Sequence, residues 1–163
     1  MNASANHLPL KRQMTSSGFT LIELMVTIAV LAIIVSIAAP NISTQLANQR
    51  VKSTAATLEN ALKEAKAESI IRRQPLTISF DDSSKVIHIQ HVVLNEVKST
   101  VATYKYNAQS EINASQSSNE FKPHKAAEAE TYIICDSNNA ANPITIKVST
   151  TGIISNRLEG VCS

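Results

Sequence analysis

Glu23 is the only charged side chain in the apolar run from Phe19 to Ala39. A carboxylate costs ~2.5–3.5 kcal/mol at the centre of a membrane helix and less toward the interface, so it marks a functional position whose partner should be named. The small residues Ser16, Ser17 and Gly18 stand before the apolar run. A secretory signal has the opposite order, with the cleavage site after the apolar stretch. A cut after Gly18 would keep the apolar run and free the amine of Phe19, which could pair with Glu23 on the same or a neighbouring subunit. The alternative is an interfacial Glu snorkelling to lipid headgroups.

Cys135 and Cys162 form the second chemically interesting pair. If this part of the chain is exported, the compartment is oxidising and a disulfide is expected. Its loop of about 27 residues would contribute ~3–4 kcal/mol in the chain-entropy model. Two free thiols are the alternative, and the spacing excludes a CxxC redox pair. His88 and His91 lie on a predicted strand at a spacing that points them to opposite faces, so a shared metal ion is not expected. His124 has no obvious partner. Asp81 and Asp82 are adjacent turn residues, Glu128 and Glu130 flank a strand, and no serine sits in a G-x-S-x-G element. The only glycines are Gly18, Gly152 and Gly160, too few for a phosphate-cradling loop. Neither an enzyme, a cofactor nor a metal is expected.

The elements that would position these residues follow from patterning. Residues 1–18 are polar and carry Lys11 and Arg12, which account for the whole formal net charge of +2. The positive-inside rule places this leader in the cytoplasm. Met14 is an alternative start that would remove both cations, and the longer leader is preferred. As a helix, Phe19–Ala39 would span about 30 Å, the thickness of a bilayer's hydrocarbon core. Val51, Ala55, Leu58, Leu62, Ala65 and Ser69 then form one stripe on a continuing helix. Glu59 with Lys63 and Glu68 with Arg72 are favourable i,i+4 pairs, and Pro75 limits the helix. From residue 75 the pattern becomes strands: Leu76–Phe80, Lys85–Leu94, Ser99–Tyr106, Thr131–Cys135 and Ile144–Val148, with a turn at Gly152. Residues 107–119 hold nine Asn, Gln or Ser and read as an exposed loop. Aromatics are 4% with no Trp, and the charge after residue 18 sums to zero, so neither base stacking nor a general electrostatic grip on DNA is indicated.

The string Gly18-Phe19-Thr20-Leu21-Ile22-Glu23-Leu24 resembles the prepilin cleavage and methylation motif of type IV pilins and type II secretion pseudopilins. Pro40 resembles the helix-kinking proline of that family. The carboxy-terminal half resembles the GspH/FimT group in Ala61–Phe80, in Phe121 with Pro123, and in Thr131–Gly152. The resemblance implies an α+β pilin-like fold, a long amino-terminal transmembrane helix followed by a small antiparallel β-sheet domain. It implies a cytoplasmic leader at 1–18, a transmembrane half-helix at 19–40, a periplasmic half-helix at 41–74 and a β-rich globular domain at 75–163. It further implies cleavage between Gly18 and Phe19 by a prepilin peptidase, N-methylation of Phe19, and assembly through Glu23 and Pro40 with other major and minor pilins or pseudopilins. The expected location is the inner membrane, single-pass, with later incorporation into a pilus or pseudopilus. The leading reading is a minor pilin in a tip or initiating complex. Alternatives are pseudopilin H and a DNA-binding minor pilin contacting DNA through Lys147 and Arg157. Against DNA, Gly152-Ile153-Ile154-Ser155 stands where DNA-binding members carry Gly-Arg-x-Arg. His124-Lys125-Ala126 also replaces a glycine frequent in the group. An enzyme merely anchored by the helix has no supporting constellation.

Overall fold

The computed structural model describes residues 18–162 except Asn95 and Lys125, and does not extend to the side chains of residues 38–41. The expected leader, apart from Gly18, and the side chain of Pro40 therefore lie outside the described residues. The chain divides at Ala38/Ala39 into two compact units.

Helix α1 spans Leu21–Arg72. At its far end Arg73 turns left-handed (φ 55°) and the Gln74 amide donates to the Ser69 carbonyl at 3.2 Å. That bond closes the last turn in a Schellman arrangement, and Pro75 follows where the helix can no longer continue. The expected stripe is the buried face: Val51, Leu58, Leu62, Ala65 and Ser69 are at most 1% exposed and Ala55 is 6% exposed. Both expected i,i+4 ion pairs form, Lys63–Glu59 at 2.5 Å and Arg72–Glu68 at 2.6 Å.

Eight strands follow: β1 (Leu76–Asp81), β2 (Val86–Val93), β3 (Glu96–Lys105), β4 (Ser110–Ala114), β5 (Ser118–Phe121), β6 (Glu130–Asp136), β7 (Ile144–Val148) and β8 (Ile154–Arg157). They form two four-stranded antiparallel sheets, ordered β3-β2-β1-β5 and β4-β6-β7-β8, where one small sheet was expected. Alternation sets the inward face of each strand. Ile78 lies opposite Ile89, Leu76 opposite Phe121, Ile112 opposite Ile134, and Tyr132 opposite Ile146. These side chains share one core with the helix stripe. Phe80 and Tyr132 join the sheets edge to face, with centroids 6.2 Å apart.

The exposed loop expected at 107–119 is not what forms. It contains β4 and the start of β5, with Ser110, Ile112 and Asn119 buried. The polar residues alternate with inward-facing ones, and the burial of Asn119 is compensated by its side-chain amide donating to the Glu128 carbonyl at 2.8 Å.

Candidate functional site

Gly18, Phe19 and Thr20 are non-helical and exposed, and α1 begins immediately after them. The Thr20 hydroxyl oxygen accepts the Glu23 amide at 3.3 Å. Thr20 is therefore the N-cap and Glu23 the third helical residue, the S/T-x-x-E spacing of a capping box. This places a carboxylate in the first turn, where the partial positive charge of the helix end favours it.

Beyond that turn, the large apolar side chains from Leu21 to Ile37 are all exposed, from 50% at Val30 to 77% at Leu21. This stretch of α1 is apolar all round apart from Glu23, a surface suited to lipid or other helices rather than water. Two hydroxyls within it are satisfied locally. Thr27 donates to the Leu24 carbonyl and Ser36 to the Ile33 carbonyl, both at 2.8 Å. The Glu23 carboxylate accepts no side-chain or backbone donor among the described residues. Neither Leu21–Ile37 nor Ile42–Arg72 is alone long and apolar enough to cross a membrane, whereas the two together meet that test of length and composition.

At the other end of the chain, Cys135 and Cys162 form a disulfide with Cα atoms 5.9 Å apart. The tail is also held by Thr145, whose hydroxyl donates to the Glu159 carbonyl. Gly160, at φ 140°, passes so close that a Cβ there would lie 2.9 Å from the Thr145 hydroxyl oxygen. Lys147 and Arg157 lie on neighbouring strands, opposite Ser155 and Thr145 respectively. Lys147 is engaged with Glu159 at 3.6 Å. His88 faces Thr103 at 3.3 Å, and the described residues hold no group of three metal-ligating side chains.

The prokaryotic N-terminal methylation motif matches residues 13–39, the stretch that contains the capped junction and the apolar turns. The chain also resembles the type IV minor pilin FimU of Pseudomonas aeruginosa, with a TM-score of 0.59 and 16% identity over 67% of this chain and 89% of that one. The fold is pilin-like. A second crystal form of FimU gives a TM-score of 0.56 at 15% identity, over 65% of this chain and 91% of that one. The minor pseudopilin EpsH of the type 2 secretion system of Vibrio cholerae gives 0.57 at 8% identity, over 66% of this chain and 96% of that one. No curated protein sequence matches the chain.

Two polar features of the pilin-like domain were not anticipated. Arg50 of α1 reaches Asp136 of β6 at 3.4 Å and also donates to the Gln109 side chain at 2.5 Å. The Asp136 side chain is fully buried, so this pair anchors the helix beside Cys135. Glu130 is 5% exposed, and one carboxylate oxygen accepts the Ser115 amide at 3.3 Å, the Ser115 hydroxyl at 2.6 Å and the Thr131 amide at 2.8 Å. The Arg50 cation and the Ser115 donors reach these acids from distant positions in the chain, so residue spacing carried no signal for those contacts. The Thr20–Glu23 cap was likewise not read from the sequence, although its S/T-x-x-E spacing carried the signal.

Proposed function

We propose that this chain is a minor pilin, cleaved between Gly18 and Phe19 by a prepilin peptidase, N-methylated on Phe19, and built into a type IV pilus as part of a tip or initiating complex. The observation that carries this reading is the capped first stretch of α1, Leu21–Ile37, apolar all round, whose sole carboxylate stands in the first turn beside the junction to be cut. Cleavage creates a cation at Phe19, and methylation keeps that charge. Before assembly the apolar helix is held by inner-membrane lipid, with the β-rich domain in the periplasm. Moving it from lipid to a bundle of pilin helices changes its apolar surroundings little, so packing and polar pairing decide register. Glu23 pairs with the Phe19 amine of an adjacent subunit and sets the axial step. Pro40, which lacks an amide hydrogen, gives the helix a place to bend as it packs. The same chemistry would serve a pseudopilus subunit. The pilus is preferred because the disulfide-tied carboxy terminus, Cys135–Cys162, resembles pilus members of the group more than pseudopilin H. DNA is not assigned as a partner, since Lys147 is engaged by Glu159 and Arg157 stands without the arginine-rich element.

Glu23→Lys tests the pairing. The variant is expected to insert in the membrane and lose its leader normally, yet to be missing from sheared filaments by immunoblot. Normal incorporation would refute the role given to Glu23.

A further inference from the structure

Sheet β4-β6-β7-β8 ends at β8, whose far edge pairs with no strand among the described residues. The Ser149 amide donates to the Ile153 carbonyl at 2.9 Å, which sets the hydrogen-bonding phase of the β7–β8 ladder. In that phase Ser155 and Arg157 exchange bonds with β7, while the amides and carbonyls of Ile154 and Asn156 point away from it. An open edge of this kind is a template for a further strand.

Two grooves run beside that edge, both walled by one face of α1. The first, of about 330 Å³, is lined by Lys52, Ala55, Ala56, Ile144, Arg157 and Leu158 among others. The second, of about 420 Å³, is lined by Lys63, Lys66, Ala67, Ile70, Ile153 and Ile154 with Gly152. Alanines on the helix side leave room for a backbone to approach. Leu158 is 83% exposed and Ile153 64% exposed, so the apolar walls are uncovered. From Lys52 to Ile70 the helix rises ~27 Å, the length of about eight extended residues. The seam is also basic. Lys52 and Arg157 have no acidic partner among the described residues, and the only acid on the seam, Glu59, is occupied by Lys63 and by the Asn156 side chain.

We propose that the seam between α1 and the open edge of β8 binds an extended acidic segment of a partner polypeptide, which joins the sheet as a fifth strand. Backbone bonds to Ile154 and Asn156 give affinity, apolar side chains enter the two grooves, and carboxylates meet Lys52 and Arg157. The site lies wholly in the β-rich domain with its half-helix, so it stands independently of Glu23 and of filament assembly.

The test uses the full chain in detergent micelles and three fluorescent probes: an octapeptide alternating Val and Glu, one alternating Val and Lys, and a short duplex DNA. The Val–Glu peptide is expected to bind by anisotropy and to slow hydrogen exchange at the Ile154 and Asn156 amides. Lys52→Glu with Arg157→Glu, both at exposed positions, should weaken it about tenfold and admit the Val–Lys peptide instead. No Val–Glu binding, binding without amide protection at β8, or tighter binding of the duplex to the same cations would each overturn the proposal.

Discussion

Removing the Cys135–Cys162 bridge should expose how far the domain depends on its tail. At a sequence separation of 27, the chain-entropy relation gives about 3.5 kcal/mol at 25 °C. Domains of this size are stable by about 5–15 kcal/mol, so the loss is large. With a urea m-value of ~1.5–2 kcal/mol/M, the unfolding midpoint should fall by about 2 M. The loss should not extend to the helix–sheet core, because that core runs from Val51 to Val148 and does not include the tail. The comparison is Cys162→Ala against the unaltered chain, in a fragment starting at Ile42 that keeps every core residue, followed by far-UV circular dichroism in urea. Reduction of the unaltered fragment should reproduce the shift, and both forms should keep the same folded spectrum. A midpoint change below about 0.5 M would show instead that the tail is equally constrained without the bond.

Two further outcomes follow from buried and hydrogen-bonded acids. Arg50→Met leaves the buried Asp136 carboxylate without its cation, and should cost about 2 kcal/mol in the same urea assay, discounted from the fully buried value because Arg50 is partly exposed. Hydrogen bonds from the Ser83 hydroxyl, then from Ser84, hold the Asp81 carboxyl well below the ordinary carboxylate range. The folded form thus binds the proton less readily than the unfolded chain, so the contribution is complete above ~pH 4 and is lost as pH falls; Asp81→Asn should flatten the acid limb of a stability–pH curve measured by thermal melts.

Legibility tracked how local the determining physics was. The helix stripe from Val51 to Ser69 could be read because each position repeats every three or four residues and needs only a facing surface. The strands β1, β2, β6 and β7 were legible from alternating Ile, Val and Phe. β4 and β5 were not. Ser110-Glu111-Ile112-Asn113 carries one apolar residue, and the inward Asn119 is held by the Glu128 carbonyl rather than by its own neighbours. The existence of two sheets was likewise hidden, because pairings such as Ile78 with Asn119 join residues far apart in the chain. The amino-terminal site was the most legible part, since its small-residue junction, carboxylate and apolar run are contiguous in the chain. The bridge between Cys135 and Cys162 was accessible because only one intramolecular pairing exists for two cysteines.

Intact-mass spectrometry of the protein purified from membranes or filaments shows directly whether the leader is removed and the apolar helix retained. The expected mass begins at Phe19, is increased by one methyl group, and keeps the Cys135–Cys162 bond before reduction. A mature chain still beginning at Met1 or Met14, or one that has lost the helix from Leu21 to Ile37, would contradict it.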